Sequence, residues 1–449
     1  MRLRTHLTCT LSSPGLQTRE GGQSGWFSGS RHTTCQRTGE KCWLILLSEA
    51  AQGTVATWST WTDRCPPSVV EMLRSLPPRH SDSDLARRLR PSWVEIDLAA
   101  VRDNVRSIRQ QIGPGVTLYA VCKADGYGCG AAEAAGAALD AGADAIAVGN
   151  PRDALAIRQA GIVAPMLLYA CSTPDAAEEV LDLNLTVTVH DFPSLRAFSA
   201  LDQEVSTFVK VDTGFGRLGF QKREWPQAFI KLAESGNVTL AGIYTHFFDP
   251  EDRSASEAQF EVFEEACRSA EAAGFSNFQR MVASSRVIAA YPTFELSAVN
   301  PGRAVFGLLE GLWKTRLVVS PAIAAVKSRV IQVAEFTSGP GKYAAQPGAA
   351  RPLRTAVIPI GHADGLPQQV GRASALIAGR RAPLLGTHLE HTVIDISDIE
   401  IVEVGDEVVL MGTQGSETIN AEELAGCYGV PLMELAIRLA SSLPRLYRS

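Results

Sequence analysis

From residue 93 onward, short runs rich in β-branched residues alternate with alanine-rich stretches of helical period. The runs are Thr117–Lys123, Ala143–Gly149, Pro165–Cys171, Leu185–Asp191, Thr207–Gly214, Leu240–His246, Arg280–Ser285 and Leu296–Arg303. Between them lie helical stretches such as Ala131–Ala141, Asp153–Ala160 and Glu257–Ala273. Parallel strands cannot be joined by a tight turn and need a crossover, usually a helix. Eight such units in succession predict an α/β fold, a (β/α)8 barrel over residues 91–314. A doubly wound sheet is the rival, but it rarely runs to eight uninterrupted parallel units.

After about residue 315 the helical pattern stops. Leu317–Phe336, Arg354–Ile360, Ala373–Ile377, Leu384–Ile396 and Glu407–Met411 read as strands separated by Gly/Pro turns, with Gly379–Pro383 as a turn-like break. Residues 315–449 are therefore expected to form a C-terminal all-β domain. One amphipathic helix, Ala421–Leu439, with a weak point at Gly429-Val430-Pro431, closes the chain.

Residues 1–90 follow neither pattern. They hold twelve Lys/Arg and seven Asp/Glu, a charge of +5, which leaves −11 on residues 91–449. Their composition predicts a poorly ordered extension or an upstream start, with a fainter resemblance to a transit peptide. The net charge of −6 argues against nucleic-acid binding. No window of eighteen consecutive apolar residues suggests a membrane span. The nine cysteines include no CxxC pair, so neither a disulfide framework nor a zinc cluster is indicated, and a cytoplasmic location is the expectation. His388 and His391 lie three apart on an apparent strand with no further ligand evident, so no metal site is expected.

In such barrels the chemistry sits where the strands end and the βα loops converge. The polar residues at those ends are Lys123, Asp125, Tyr127, Lys210, Asp212, Arg217, His246, Ser284, Ser285, Asn300 and Arg303. A lysine ending an apolar strand loses hydration, which lowers its pKa and suits it to Schiff-base chemistry. The alternative is pairing with Asp125. Tyr127-Gly128-Cys129-Gly130, Ser284-Ser285 and Asn300-Pro301-Gly302-Arg303 suit a phosphate bound by loop amides and hydroxyls. Lysine beside a phosphate cradle points to pyridoxal phosphate.

Four ordered segments carry a resemblance. They are Val121–Gly130, Lys210–Gly219, Tyr244–Phe247 and Gly361–Gly365, and they resemble segments of the alanine racemase family, in that family's order. The likeness runs from about Trp93 to Tyr447. It implies that Lys123 forms the Schiff base with pyridoxal phosphate and acts as one of two bases. It implies further that Tyr127, Ser285 and the Gly302 amide bind the phosphate. Arg217 would orient cofactor and substrate carboxylate. Lys210 would be a lysine often carbamylated, which steadies that arginine, and His246 would stack near the pyridine.

The departures from the family pattern fall on chemistry. His362 stands where the family's second base is a tyrosine donated by the partner subunit. Imidazole is the better-poised base at neutral pH but is shorter. Asn300 stands where the family has an arginine against the pyridine nitrogen. It is expected to donate a hydrogen bond there, with Arg303 a possible compensating cation. Leu389-Glu390 replaces a Met-Asp pair that contributes to substrate choice, Met433 replaces a phosphate-binding tyrosine, and Cys129 replaces a frequent histidine.

The resemblance implies a homodimer with shared sites that racemises alanine or a related small amino acid through Lys123 and His362. The altered Glu390 region would admit a larger or more polar substrate such as serine. The missing tyrosine keeps a pyridoxal-dependent lyase or decarboxylase open as an alternative. A non-catalytic pyridoxal phosphate carrier would not require the polar loop His362-Ala363-Asp364.

Overall fold

The computed structural model describes residues 89–294, 296–337, 342–343, 352–368 and 372–449, so nearly all of the expected N-terminal extension lies outside the described residues. The first strand among the described residues is β1 (Ser92–Asp97). A closed barrel follows. Its strands are β2 (Thr117–Val121), β3 (Ala145–Val148), β4 (Met166–Leu168), β5 (Thr186–Val189), β6 (Val205–Lys210), β7 (Val238–Tyr244), β8 (Gln279–Ala283) and β9 (Ala298–Val299). All neighbours are parallel, and β9 closes onto β2. Each strand falls within its predicted run or overlaps it closely.

The barrel strands are apolar because helices cover one face and the packed lumen the other. Every residue of β3 and β4 is buried. In the lumen, Tyr119 and Tyr244 meet the Phe208 ring edge-on at 5.8 and 6.3 Å. Gly242 makes room for that ring, since a Cβ there would lie 2.2 Å from it. At the mouth, the loops leaving β3, β5 and β7 end in the N-caps Asn150, Asp191 and Asp252, each accepting from a first-turn amide. Side-chain caps satisfy donors that a helix start leaves unpaired. They also fix where each loop leaves its strand.

The second unit is a sheet of β10 (Ile323–Arg329), β11 (Gln332–Phe336), β12 (Leu353–Ile358), β13 (Ser374–Ile377), β14 (Arg380–Thr387), β15 (Thr392–Asp395), β16 (Glu407–Gln414), β17 (Glu417–Ile419) and β18 (Arg445–Arg448). Its order is β11-β12-β15-β14-β13-β16-β10-β1-β18, with β17 beside β16.

Four expectations are corrected. First, β1 precedes the barrel but belongs to this sheet, antiparallel to β10 and parallel to β18. The expected barrel range, which begins at residue 91, thus includes a strand of the second domain. Nothing in the residues of a buried strand names its sheet. Second, the run Leu317–Phe336 breaks at Val330-Ile331 into β10 and β11. Third, only Ala378 and Gly379 turn, with φ of 51° and 72°; Arg380–Pro383 is strand, paired with β13. Fourth, the closing helix is two, Ala421–Tyr428 and Leu432–Ser442, parted at Gly429, whose φ of 65° stops the first, and Pro431, which precedes the second.

Buried Glu95 on β1 is neutralised by Lys327 at 3.2 Å, by Arg448, and by the Trp93 indole N–H at 3.3 Å. β1 lies between β10 and β18, and Ile96 on it is fully buried. Ile96→Ala should lower the urea midpoint by an amount equivalent to about 2–5 kcal/mol, the usual cost of a large-to-small change in a core. A midpoint unchanged within error would show that β1 is dispensable to the sheet.

Candidate active site

Beyond β2 the backbone turns left-handed. Ala124, Asp125, Gly126 and Tyr127 have φ between 53° and 61°. Non-glycine residues there cost roughly 1–2 kcal/mol each, so the surroundings must hold them. Asp125 is the clamp. Its Oδ1 accepts from the Ala131 amide at 2.9 Å, and its Oδ2 meets Arg445 Nη2 at 2.6 Å. Its own amide donates to Asp153 Oδ1 at 3.2 Å. Gly130 sits where a Cβ would lie 2.2 Å from the Tyr447 hydroxyl, and Gly128 abuts Ala440. Strand β18 and the helix Leu432–Ser442 thus brace the turn.

The turn presents Lys123. Asp125 is taken by Arg445, and Lys123 has no ion-pair partner among the described residues, so the expected alternative of a Lys123–Asp125 pair is absent. The lysine is open to the mouth. Desolvation, then the nearby charges of Arg217 and Arg303, hold its pKa below the usual value of 10.5. An amine without an ion-pair partner, its pKa lowered, is the better nucleophile.

The predicted phosphate residues converge. Ser285 Oγ accepts from the amides of Gly302 and Ala304, both at 3.0 Å. The Tyr127 hydroxyl lies against Gly302, where a Cβ would come within 2.2 Å of it. Only glycine permits that approach. Tyr127 is held by Phe306, ring centroids 5.0 Å apart. Two arginines adjoin this cradle in sequence, Arg286 after Ser285 and Arg303 after Gly302. Among the described residues neither has an ion-pair or hydrogen-bond partner, and Arg286 Nε is buried without one. Burial, then the Arg286 charge, lowers the Arg303 pKa. Sequence reasoning missed Arg286; its signal was its place directly after a predicted phosphate ligand.

Arg217 stacks on Phe215, its Cζ 4.3 Å from the ring centroid, and Phe215 lies 5.6 Å from the His246 ring. The loop is shaped by Asp212, whose carboxylate accepts from the amides of Gly214, Phe215 and Gly216. Lys210 is buried beneath, donating to Val211 O at 3.1 Å and Thr245 Oγ1 at 3.3 Å. Burial brings its pKa down to about 7, against the opposing pull of Asp212 and with help from Arg217. Burial and then Lys210, Lys123, Arg217 and Arg303 push His246 down to about 3, so its imidazole is neutral at pH 7.

Asn300 Nδ2 donates one of its two N–H groups to the Tyr169 hydroxyl at 3.0 Å. Its Oδ1 is buried with no hydrogen-bond partner among the described residues. Arg303 is perturbed by Arg286, Tyr127 and Glu310 and itself acts on Lys123 and His246. Tyr169 was also missed; it lies inside the predicted run Pro165–Cys171, where a phenol among apolar residues was the available sign.

His362, Leu389 and Glu390 are brought together on one pair of loops. The His362 and Ala363 amides donate to the carbonyls of His388 and Leu389, both at 2.9 Å. Asp364 fastens the turn, accepting from the Gly361 amide at 2.9 Å and pairing with Arg90 at 2.7 Å. His362, Leu389 and Glu390 are exposed, Leu389 by 61%, and among the described residues no side-chain hydrogen bond or ion pair engages them. None of this loop pair's hydrogen bonds among the described residues reaches Lys123. His388 Nε2 is 2.7 Å from the Tyr343 hydroxyl, and no group of three potential metal ligands occurs among the described residues. Met433 is half-buried against the core and Cys129 fully buried.

Comparison with known proteins agrees with this layout. The family described as alanine racemase, N-terminal domain, matches residues 96–310, and alanine racemase, C-terminal domain, matches residues 323–447. The chain is 34% identical to an alanine racemase of Desulforamulus reducens over 369 residues, covering 80% of this chain and 99% of that one. It is 35% identical to that of Symbiobacterium thermophilum over 371 residues, covering 80% and 97%. Among solved structures, the Bacillus anthracis alanine racemase with bound L-Ala-P superposes with a TM-score of 0.73 at 27% identity, covering 80% of this chain and 95% of that one. The Streptomyces lavendulae enzyme gives 0.72 at 27%, covering 80% and 97%.

The depressed His246 has a measurable consequence. Its ordinary value is 6.5 and its folded value about 3, so between those limits the unfolded chain binds a proton that the folded chain refuses. Stability contributed by the neutral imidazole is complete above the upper limit and is lost as pH falls through the window. His246→Gln should flatten the acid limb of a urea-midpoint-against-pH curve. An unaltered limb would place the proton uptake elsewhere.

Proposed function

Because the chain belongs to the alanine racemase family, we propose that it is a pyridoxal phosphate-dependent racemase interconverting L- and D-alanine. The residues present fit that cofactor: an amine at Lys123 with no ion-pair partner among the described residues, a cradle at Gly302 that any Cβ would fill, and Arg286 and Arg303, neither ion-paired among the described residues. The amine beside that glycine-only cradle carries the reading. When bound, the cofactor supplies the electron-accepting ring that acidifies the substrate Cα–H.

The chain's own residues then divide the work. Lys123 would hold the cofactor and move a proton on one face of the substrate Cα. Tyr127, Ser285 and the Gly302 amide bind the phosphate, with Arg286 and Arg303 adding charge. Arg217 orients the substrate carboxylate through its planar donors. His246 lines the ring without charge. Lys210, partly uncharged near neutral pH, has the free amine that carbamylation requires and would steady Arg217. The second base is the partner subunit's His362, an exposed imidazole with no side-chain partner among the described residues. Leu389 and Glu390 beside it would contact substrate. A homodimer is part of this proposal because the family resemblance implies a second base donated by a partner subunit.

No helix among the described residues is long and apolar enough to cross a membrane. A reducing, cytoplasmic setting is proposed from the free thiols Cys122 and Cys129 flanking the lysine turn. No observation favours a lyase, a decarboxylase or a carrier.

Holo-protein incubated with a panel of L-amino acids in deuterated water should yield the D-enantiomer of alanine first, with deuterium at Cα. Release of carbon dioxide, ammonia or aldehyde would replace this reading with a lyase, and no exchange at all would leave a carrier. Lys123→Ala should abolish the lysine-bound chromophore. His362→Ala should keep it while turnover falls by about 10²–10⁴, the usual worth of a positioned acid–base group. Mixing the two variants should restore about a quarter of wild-type turnover, the statistical share of intact shared sites in a symmetric dimer. No recovery would mean that each chain builds its own site.

A further inference from the structure

We propose that Gly149 and Asp153, on the loop that leaves β3, fix where the Lys123 amine stands and so govern the lysine's half of the proton exchange without acting on the other half. The inference deepens the racemase reading above and rests on it.

The β3 side touches the lysine segment at three successive points. β2 and β3 run parallel with Val121 opposite Ala147, and the Cys122 amide donates to Ala147 O at 2.8 Å. Gly149 follows two residues on. A Cβ built there would meet Lys123 Cβ at 3.0 Å, Cδ at 3.9 Å and Cα at 4.0 Å, so its three nearest atoms all belong to the lysine. Gly149 does not adopt the left-handed backbone found at Gly126, Gly128 and Gly130, so its missing side chain leaves room for the lysine stem and serves no turn. Asp153, 6% exposed near the start of the helix Pro151–Gln159, closes the series, its Oδ1 accepting from the Asp125 amide at 3.2 Å. Its Oδ2 accepts from Asn150 Nδ2 at 2.8 Å, and Asn150 Oδ1 accepts from the Asp153 amide at 3.0 Å, so the carboxylate is itself seated.

These contacts fall on residues 122, 123 and 125 in order. With the Cys122 and Asp125 amides held, the Cα–Cβ bond of Lys123 has a set direction, and Gly149 bounds the stem on one side. A lysine side chain is otherwise rich in rotamers, which must be given up each time the amine is placed. A catalytic group acts through the geometry it holds, and a misplacement of about 1 Å costs roughly 10²-fold in rate. Among the described residues the Asp153 carboxylate serves the lysine turn and Asn150, not the loops of His362 and Leu389. The face of Cα served by Lys123 is therefore sensitive to this loop, and the face served by the second base is not. Gly149 and Asp153 act through Lys123 and are positioning residues.

The test separates the two halves of the exchange. Holo-protein carrying Gly149→Ala or Asp153→Ala is compared with wild type by the circular dichroism of the lysine-bound absorbance, which reads the tilt of the bound ring. Primary deuterium isotope effects with Cα-deuterated L- and D-alanine then read each direction of turnover. Both variants should keep the absorbance, change its dichroism and turn over about tenfold more slowly, short of the ~10²-fold cost of a full 1 Å misplacement. The isotope effect should rise for the enantiomer whose proton Lys123 removes and fall for the other, because one of the two transfers is slowed. A role in folding alone would lower the urea midpoint and leave the two isotope effects unchanged or moved together, and that result would overturn the proposal. Should Asp153→Ala fail to fold, Gly149→Ala decides the matter, since its backbone accepts alanine and the new methyl meets the lysine first. Wild-type dichroism and isotope effects in Gly149→Ala would refute the inference. A wild type with no lysine-bound absorbance sinks the pyridoxal reading itself, which is a different result from an exchanging wild type whose variants show no split.

Discussion

The bridge between Asp125 and Arg445 supports everything at the barrel mouth. It draws a carboxylate from the loop after β2 onto a strand of the other domain, and so keeps a left-handed turn that the backbone would not hold unaided. Two consequences follow from one contact. The strained turn aims Lys123 and Tyr127 into the mouth, and it removes the acid that would otherwise have paired with the lysine. Because Arg445 lies on β18, next to β1, the β domain is part of the scaffold of the barrel site, whichever subunit completes it.

Charge balance around the mouth reinforces this. Lys123, Lys210, Arg217, Arg286 and Arg303 perturb one another or His246, and the recorded carboxylates close by are occupied in shaping loops, as Asp212 and Asp153 do. Cations gathered in excess of the carboxylates among the described residues are costly in a folded chain and make sense as the receptor for a multiply charged anion. The same field explains why His246 is uncharged and why Lys210 lies near neutrality. These are effects of one assembly, not separate adaptations.

Much of this was legible in the chain before any coordinates. The eight-fold alternation named the barrel, because parallel strands require helical crossovers and buried strands require apolar residues. Lys123, Tyr127, Ser285 and Gly302 were legible because strand ends converge in a barrel, so a list of polar residues at run ends is already a list of neighbours. Less legible were residues whose role depends on a rotamer. Asn300 was read as a donor, and the direction of its amide depended on Tyr169, 131 positions away in sequence. The boundary at residue 91 failed for a related reason, since a strand carries no mark of the partners it will find.

The sequence by itself determined the class of fold, the order of the two domains and the residues that meet at the barrel mouth, because periodicity and strand-end position are local properties that the chain carries everywhere. Only the tertiary structure decided which acid holds Arg445, which sheet takes β1, that Asn300 meets Tyr169, and that the His362 turn is pinned to the carbonyls of His388 and Leu389. Those outcomes depend on pairings between distant segments, and such pairings are chosen by geometry and burial once the chain has closed on itself.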